Sequence, residues 1–173
     1  MGQRICIMKD GEIVQVGAPM EVYRNPADTF VAGFLASPPM NLVAGRLEPH
    51  QAGLAAIAGG ARFVLPPALR DAYAGHSGAV VTLGLRPEDF HLSSGDMRLP
   101  QPVPVTAIAT EVLGPEVILV CELGGAGGPE IMVRCPRDFS ATPGQSLTLQ
   151  YDLSQIHLFD KATGKVLSRP RVT

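Results

Sequence analysis

The densest group of polar side chains after residue 40 is Gly84-Leu-Arg-Pro-Glu-Asp89, at the end of a strand-like run that begins at Val80. The guanidinium of Arg86 is a planar fork that suits a carboxylate or a cluster of carbonyls. Pro87 stiffens the exit from the strand, and Glu88 and Asp89 add two carboxylates. One interpretation is a contact with a ligand or partner. We favour the alternative, an Arg–acid pair or a turn that pins the fold.

Two glycine-containing segments could suggest a phosphate site. Gly124–Gly128 joins two strand-like segments, and the following Pro129-Glu130 removes a donor and adds negative charge, so a flexible hairpin loop is the better prediction. The single Gly-Lys pair, Gly164-Lys165, is followed by Val166, whereas a nucleotide-binding loop ends in Gly-Lys-Ser/Thr. We therefore predict no ATP hydrolysis by this chain, and no catalytic or cofactor-binding residue in it.

The histidines and cysteines form no pattern of metal ligands. The histidines are scattered, and the cysteines are odd in number without CxxC spacing, so we predict neither a metal site nor a disulfide framework. Reduced thiols of a cytosolic protein are the simple interpretation. The residues concerned are His50, His76, His91, His157, Cys6, Cys121 and Cys135.

The composition is that of a folded chain with room for one compact domain, or one small domain with part of another attached. Of 173 residues, 46% are hydrophobic and 17% charged. Fourteen Lys+Arg against 16 Asp+Glu, with 5% aromatics and no Trp, argue against a nucleic-acid partner. No apolar run approaches the ~20 residues of a membrane helix, and no secretion signal is expected.

The first part of the sequence predicts a hairpin and two short helices. Asp10-Gly11 between apolar runs favours a tight turn, and Pro19 fits the first turn of a helix that ends near Arg24. We expect Asn25 to cap a second helix that runs to about Ala36. Its apolar stripe needs a larger surface than one hairpin offers, so this segment is interpreted as the end of a larger domain.

From Met40 onward, short strands separated by Gly and Pro predict a mainly β fold, a small barrel or sandwich. One helix is expected at about 67–73. The boundary between the two parts falls at Ser37-Pro38-Pro39, which gives domains 1–37 and 38–173. The expected strands cover 41–47, 80–85, 103–109, 117–123, 131–134, 147–153 and 157–159.

The order of these motifs resembles the C-terminal part of ATP-binding subunits of carbohydrate-uptake ABC importers, over nearly the whole chain. Arg4–Gly17 is similar to the hairpin that closes their ATPase domain, and Pro19–Pro26 with Phe30–Phe34 is similar to the helices after it. Leu83–Asp89 is similar to their Gly-Ile-Arg-Pro-Glu signature, and Ile156–Asp160, with His157 and Phe159, to their closing strand. Ser37–Asn41 and the ending look nearest to the glycerol-3-phosphate and multiple-sugar types.

The resemblance implies a TOBE or MOP-like regulatory region with an OB-type β-barrel. It implies a homodimer at the inner face of the cell membrane, attached to the transmembrane subunits of a sugar or glycerol-phosphate importer. A cytosolic regulatory protein is a further implied partner. ATP and Mg²⁺ would be cofactors of the parent subunit only, because its nucleotide-binding motifs would precede Met1.

Two other functions stay open. The first is a sensor of a small ligand such as an oxyanion, since related barrels in molybdate systems bind one. The second is a single-strand nucleic-acid module, which the negative charge and the few aromatic residues disfavour.

Overall fold

The computed structural model describes residues 3–93, 95 and 97–167, and its architecture is mainly β, as predicted. No helix in this described part is long and apolar enough to cross a membrane. Three single turns of 3₁₀ helix lie at Ala74–His76, Pro87–Asp89 and Leu153–Gln155. The strands are β1 Ile5–Lys9, β2 Glu12–Gly17, β3 Asn41–His50, β4 Gly53–Ala58, β5 Ala61–Val64, β6 Val80–Leu85, β7 Phe90–His91, β8 Pro100–Val112, β9 Glu116–Leu123, β10 Glu130–Pro136, β11 Ser146–Asp152 and β12 His157–Asp160; the helices are α1 Pro19–Arg24, α2 Thr29–Phe34 and α3 Pro67–Tyr73.

The predicted N-terminal hairpin is confirmed. Strands β1 and β2 pair antiparallel, with Lys9 opposite Glu12 across a two-residue turn. Asp10 and Gly11 both have positive φ, 51° and 85°. This combination defines the turn type that matches the twist of paired strands, and Asp-Gly is among the sequences that tolerate it best.

The second helix is shorter than predicted and has a different cap. It begins at Thr29, and the Asp28 carboxylate accepts a hydrogen bond from the Val31 N–H at 2.9 Å, so Asn25 is not its cap. Asn25 instead ends α1. Asp28 has an extended backbone, which lets its side chain reach back to the first turn of the helix.

The β region, residues 38–167, contains two five-stranded antiparallel sheets. One has the order β10-β9-β8-β11-β7 and the other β12-β6-β3-β4-β5. Residues from both sheets fill one hydrophobic core, with Tyr73, Tyr151, Phe63 and Phe90 among its largest fully buried side chains. This packing covers the inner face of each sheet, and α3 closes part of the core with Leu69.

Three strands were missed by the sequence analysis: β4, β5 and β7, which has only two residues. Strand β4 is rich in alanine, and β5 follows it after Gly59-Gly60, both of which have positive φ. Alanine has little intrinsic preference for strands, so only pairing with β3 identifies this hairpin.

The N-terminal segment, residues 3–37, has a small core of its own. Ile7, Val22 and Val31 are buried together, apart from the large core of the β region. A second small cluster joins Ala32 of α2 to Met40 and Phe159, so α2 contacts both parts of the chain.

Candidate functional site at the junction of the N-terminal segment and the β region

The two signature segments of the sequence lie on neighbouring strands. Strand β12 pairs with β6, which places His157 opposite Gly84 and Phe159 opposite Thr82. His157 and Phe159 are both buried, and their rings stack at 6.2 Å between centroids. The fold thus brings together two motifs that are about 70 residues apart in the chain.

Gly84 is required at this place for steric reasons. A Cβ atom built there would lie 2.5 Å from the Met40 sulfur and 2.8 Å from the Phe159 ring. Both side chains belong to the small cluster that also includes Ala32 of α2. The glycine therefore allows the junction residues to pack directly on β6.

Arg86 connects the β region to helix α1. Its side chain is only 4% exposed, and its guanidinium carbon lies 3.6 Å from the centroid of the Tyr23 ring. The same guanidinium donates a hydrogen bond to the Tyr23 backbone carbonyl. The Tyr23 hydroxyl in turn donates to the Glu88 carboxylate. Tyr23 is thus held by Arg86 and Glu88, on either side of Pro87.

The remaining members of the signature shape this connection. Pro87, Glu88 and Asp89 form a single 3₁₀ turn, in which the Asp89 N–H donates to the Arg86 carbonyl at 3.2 Å. Pro87 is buried in the turn. The turn leads from β6 to β7 in the other sheet, and its Glu88 carboxylate accepts from the Tyr23 hydroxyl.

Asn41 forms a second connection, which links the two sheets. Its amide nitrogen donates to the carbonyls of Leu85, at 2.9 Å, and Met132, at 2.8 Å. Its amide oxygen accepts from the Met132 N–H at 2.8 Å. The amide of Asn41 therefore bonds to the outer edge of β10 through one donor and one acceptor, as the backbone of a neighbouring strand would.

Arg134 on the same strand reaches the end of the N-terminal segment. Its guanidinium donates to the Ser37 carbonyl at 2.9 Å and forms an ion pair with Glu116 at 2.9 Å. Both side chains are about one-third exposed, so we assign the pair little intrinsic stabilisation. The hydrogen bond to Ser37 matters more, because it attaches the end of the N-terminal segment to the β region.

A third connection lies at the turn after β12. The Asp160 carboxylate accepts from the N–H and hydroxyl of Thr163, at 2.7 and 2.8 Å, and these hydrogen bonds lower the pKa of Asp160. Gly164 then accepts from the Thr29 N–H at 2.9 Å, at the start of α2. The Val166 N–H donates to the Ala27 carbonyl at 3.0 Å.

Sequence analysis placed Arg86, Pro87, Glu88, Asp89, His157 and Phe159 in the signature but did not anticipate their partners. Tyr23, Asn41 and Arg134 were not among the candidate site residues. Tyr23 and Asn41 lie within the segments that carry the family resemblance, which is the one signal that pointed to them. The contact of Tyr23 with Arg86 joins residues 63 positions apart, and that of Asn41 with Met132 joins residues 91 positions apart, which no local pattern encodes.

An open cleft of about 840 Å³ lies next to this junction. Its polar lining includes the carboxylates of Glu88, Glu116 and Asp152 and the imidazole of His91. Among the described lining residues, Arg134 contributes a guanidinium, and it is already paired with Glu116. Because carboxylates outnumber cations here, the cleft is poorly suited to an oxyanion.

The glycine-rich loop Gly124–Gly128 has a packing role. It joins the paired strands β9 and β10, as predicted. Gly124 has φ +82°, and a Cβ atom built there would lie 1.9 Å from the Gly59 carbonyl oxygen. Gly164 of the single Gly-Lys pair is bonded to Thr29. Gly124 and Gly164 are thus both engaged in contacts within the chain.

The two buried thiols, Cys121 and Cys135, are free and unreactive in their surroundings. Burial raises the pKa of Cys121 to about 12 and that of Cys135 to about 11. A thiol with such a pKa is almost entirely protonated at neutral pH. Within the described part of the chain, no group of three or more His, Cys, Asp or Glu side chains could hold a metal ion.

Two family models match overlapping parts of the chain. The MalK OB fold domain matches residues 37–90, and the TOBE domain matches residues 83–159. The two matches overlap at the signature that carries Arg86. Together with the antiparallel sheets and the junction, they define the class of protein: a regulatory region built from an OB fold and a TOBE domain.

Several curated proteins are similar over most of this chain. The sn-glycerol-3-phosphate import ATP-binding protein UgpC of Salmonella typhi is 37% identical over 169 residues, which is 95% of this chain and 43% of that protein. UgpC of Escherichia coli O6:K15:H31 is 36% identical over 165 residues, with the same coverage. The chain thus spans less than half the length of these relatives.

Among solved structures, the cytoplasmic molybdate-binding protein ModG with molybdate bound has a TM-score of 0.46 and 17% identity. The likeness covers 68% of this chain and 94% of that one. A likeness at this level carries no inference about a ligand.

The chain therefore belongs to the family of C-terminal regulatory regions found in ATP-binding subunits of carbohydrate-uptake ABC importers, as its sequence motifs indicated.

Proposed function

We propose that this chain is the regulatory and dimerisation region of an ATP-binding subunit that drives import of a sugar or of sn-glycerol-3-phosphate. The observation that carries the proposal is the 37% identity to a UgpC subunit over 95% of the chain. In the parent subunit, ATP hydrolysis with Mg²⁺ would be coupled to solute import through transmembrane subunits. The region itself is non-catalytic and works at the cytoplasmic face of the membrane, where a regulatory protein is a further possible partner.

We further propose that residues 1–37 are the end of the ATPase domain and that 38–173 form the regulatory domain. The separate small core of the N-terminal segment supports this division. So do its exposed apolar side chains: Ile13 is 65% exposed and Phe34 63%, although the segment is too small to bury them itself. An ATPase domain packed on this face would cover them.

In this interpretation, the junction transmits movement between the two domains. Arg86 and Glu88 hold Tyr23, Arg134 holds Ser37, and the turn after β12 holds α2. Contacts at three separate places resist rotation about any one of them. The regulatory domain would therefore follow the end of the ATPase domain as a rigid attachment.

Light scattering over a range of protein concentrations tests the proposal, since a symmetric dimer is expected. A mass that stays at one chain up to the highest concentration would contradict the dimerisation role. Calorimetry with ATP and Mg²⁺ should give no heat of binding. Saturable binding of ATP would show that the chain has a nucleotide site of its own, which would overturn the non-catalytic assignment.

A further inference from the structure

One strand segment has an exposed edge. Strand β8 pairs with β11 only as far as Thr106, and the backbone of Ala107 still bonds to Gln145 and Gly144. From Ala109 to Val112, it pairs with β9 on one side only, and Ile108 is the extra residue at a bulge between Ala107 and Ala109. Within the described residues, this segment therefore forms a sheet edge.

The hydrogen-bond register shows which backbone groups face outward. The Leu113 N–H donates to the Glu116 carbonyl at 2.9 Å, at the end of the β8–β9 hairpin. In an antiparallel pair, bonded and non-bonded residues alternate. Glu111 and Ala109 therefore bond toward β9, and the N–H and C=O groups of Thr110 and Val112 point to the free edge.

The side chains of this edge are unusually apolar for an exposed strand. Val112 is 73% exposed, Leu113 54% and Ile108 37%. Between 108 and 113 there is neither proline nor lysine, and Glu111 is the one charged residue. Proteins normally protect an edge with such residues, because an exposed edge recruits another strand.

Two other edges of the sheets are covered. The Asn41 side chain bonds to both backbone groups of Met132 on β10. The segment that includes Leu167 bonds to Leu158 on β12. The contrast indicates that the edge of β8 is kept open for a partner.

We propose that the edge Ile108–Leu113, which we call the β8 edge, pairs antiparallel with the β8 edge of a second copy. The inference rests on the proposed dimerisation function and names its surface. A two-fold axis at Thr110 places Thr110 opposite itself, with its outward backbone groups bonded across the axis. Val112 then lies opposite Ile108 of the second copy, so exposed apolar side chains meet.

Charge selects this register over its neighbour. With the axis at Thr110, Glu111 lies opposite Ala109 of the second copy. With the axis at Glu111, two carboxylates would lie directly opposite each other, which is unfavourable. The segment is thus self-complementary in one register, which favours a second copy over an unrelated strand as its partner.

Cysteine cross-linking tests the axis directly. In a Cys6→Ser background, Thr110→Cys should form a disulfide-linked dimer, because bonded antiparallel pairs have Cα atoms about 5.5 Å apart, within disulfide range. Val80→Cys is the matched control, since Val80 is 62% exposed but lies on the other sheet. It should stay unlinked under the same mild oxidation.

A second variant tests the apolar contact. Val112→Lys should weaken the dimer at least ~tenfold by light scattering or sedimentation, because it puts a charge opposite an apolar side chain. Its urea midpoint should match the wild type, since Val112 is mostly exposed.

The outcomes separate this inference from the proposed function. A wild-type dimer that Val112→Lys does not weaken, and in which Thr110→Cys does not cross-link, would place the interface elsewhere and overturn the β8 edge. A wild type that remains a monomer at every concentration would remove the dimerisation role itself.

Discussion

Replacing Arg86 with alanine should loosen the N-terminal segment from the β region. The guanidinium stacks on Tyr23 at 3.6 Å and donates to its carbonyl, while its side chain is 4% exposed. A desolvated cation–π contact contributes up to about 2 kcal/mol, and a hydrogen bond from a charged donor about 1.5–3 kcal/mol. Since such contributions are not fully additive, we expect a loss of about 2–4 kcal/mol at this contact.

Hydrogen exchange with mass spectrometry is the appropriate assay, because it reports local opening. Exchange in α1 should accelerate roughly a hundredfold in Arg86→Ala, the factor that corresponds to about 2.7 kcal/mol. Arg86→Lys should give an intermediate result, because lysine keeps the charge but loses the planar fork.

Arg46→Ala is the matched control for this experiment. Arg46 is 59% exposed and pairs with Glu48 on the surface at 2.7 Å, so its loss should change stability by less than about 1 kcal/mol. Unchanged exchange in α1 of Arg86→Ala, with the β region intact, would refute the role of Arg86 as the connection between the two parts.

Four further predictions concern stability and thiol chemistry. Gly84→Ala should lower the unfolding free energy by about 1–3 kcal/mol in urea titrations, because its methyl group would overlap the Phe159 ring. Asn41→Ala should cost about 1–3 kcal/mol in the same assay, because both backbone groups of Met132 would lose their partner. A thiol reagent at pH 8 should label the exposed Cys6 and leave both buried thiols unlabelled. Mass spectrometry of the labelled protein measures this. The buried thiols have pKa values raised from 9.0, so the stability they contribute below pH 9 should decline as pH rises toward about 11–12, measured as a falling urea midpoint. Full labelling of the folded protein, or an unchanged midpoint in any of these tests, would contradict the packing described for that residue.

Local sequence patterns predicted much of the architecture correctly. Asp10-Gly11 specified a hairpin turn because both residues accept positive φ, and the observed values agree. The helix Pro67–Tyr73 has the predicted bounds, since proline suits its first position. The order of motifs identified the family of regulatory regions. These features depend on a few neighbouring residues, and the sequence contains that information directly.

Where local preference was weak, the prediction was incomplete. The alanine-rich β4 has no strong intrinsic conformation and becomes a strand by pairing with β3. The start of α2 was placed too early because Asn25 was expected to be its cap, whereas Asp28 caps it, next to a bridge with Lys165 that the sequence did not predict.

The sequence by itself determined a mainly β chain, its turns, and the presence of a polar signature around Arg86. Only the tertiary structure decided that Arg86 holds Tyr23, that Asn41 joins two sheets, and that part of β8 is an open edge. The physical reason is distance along the chain: these contacts join residues that are far apart in sequence, and only the packing of the core brings them together.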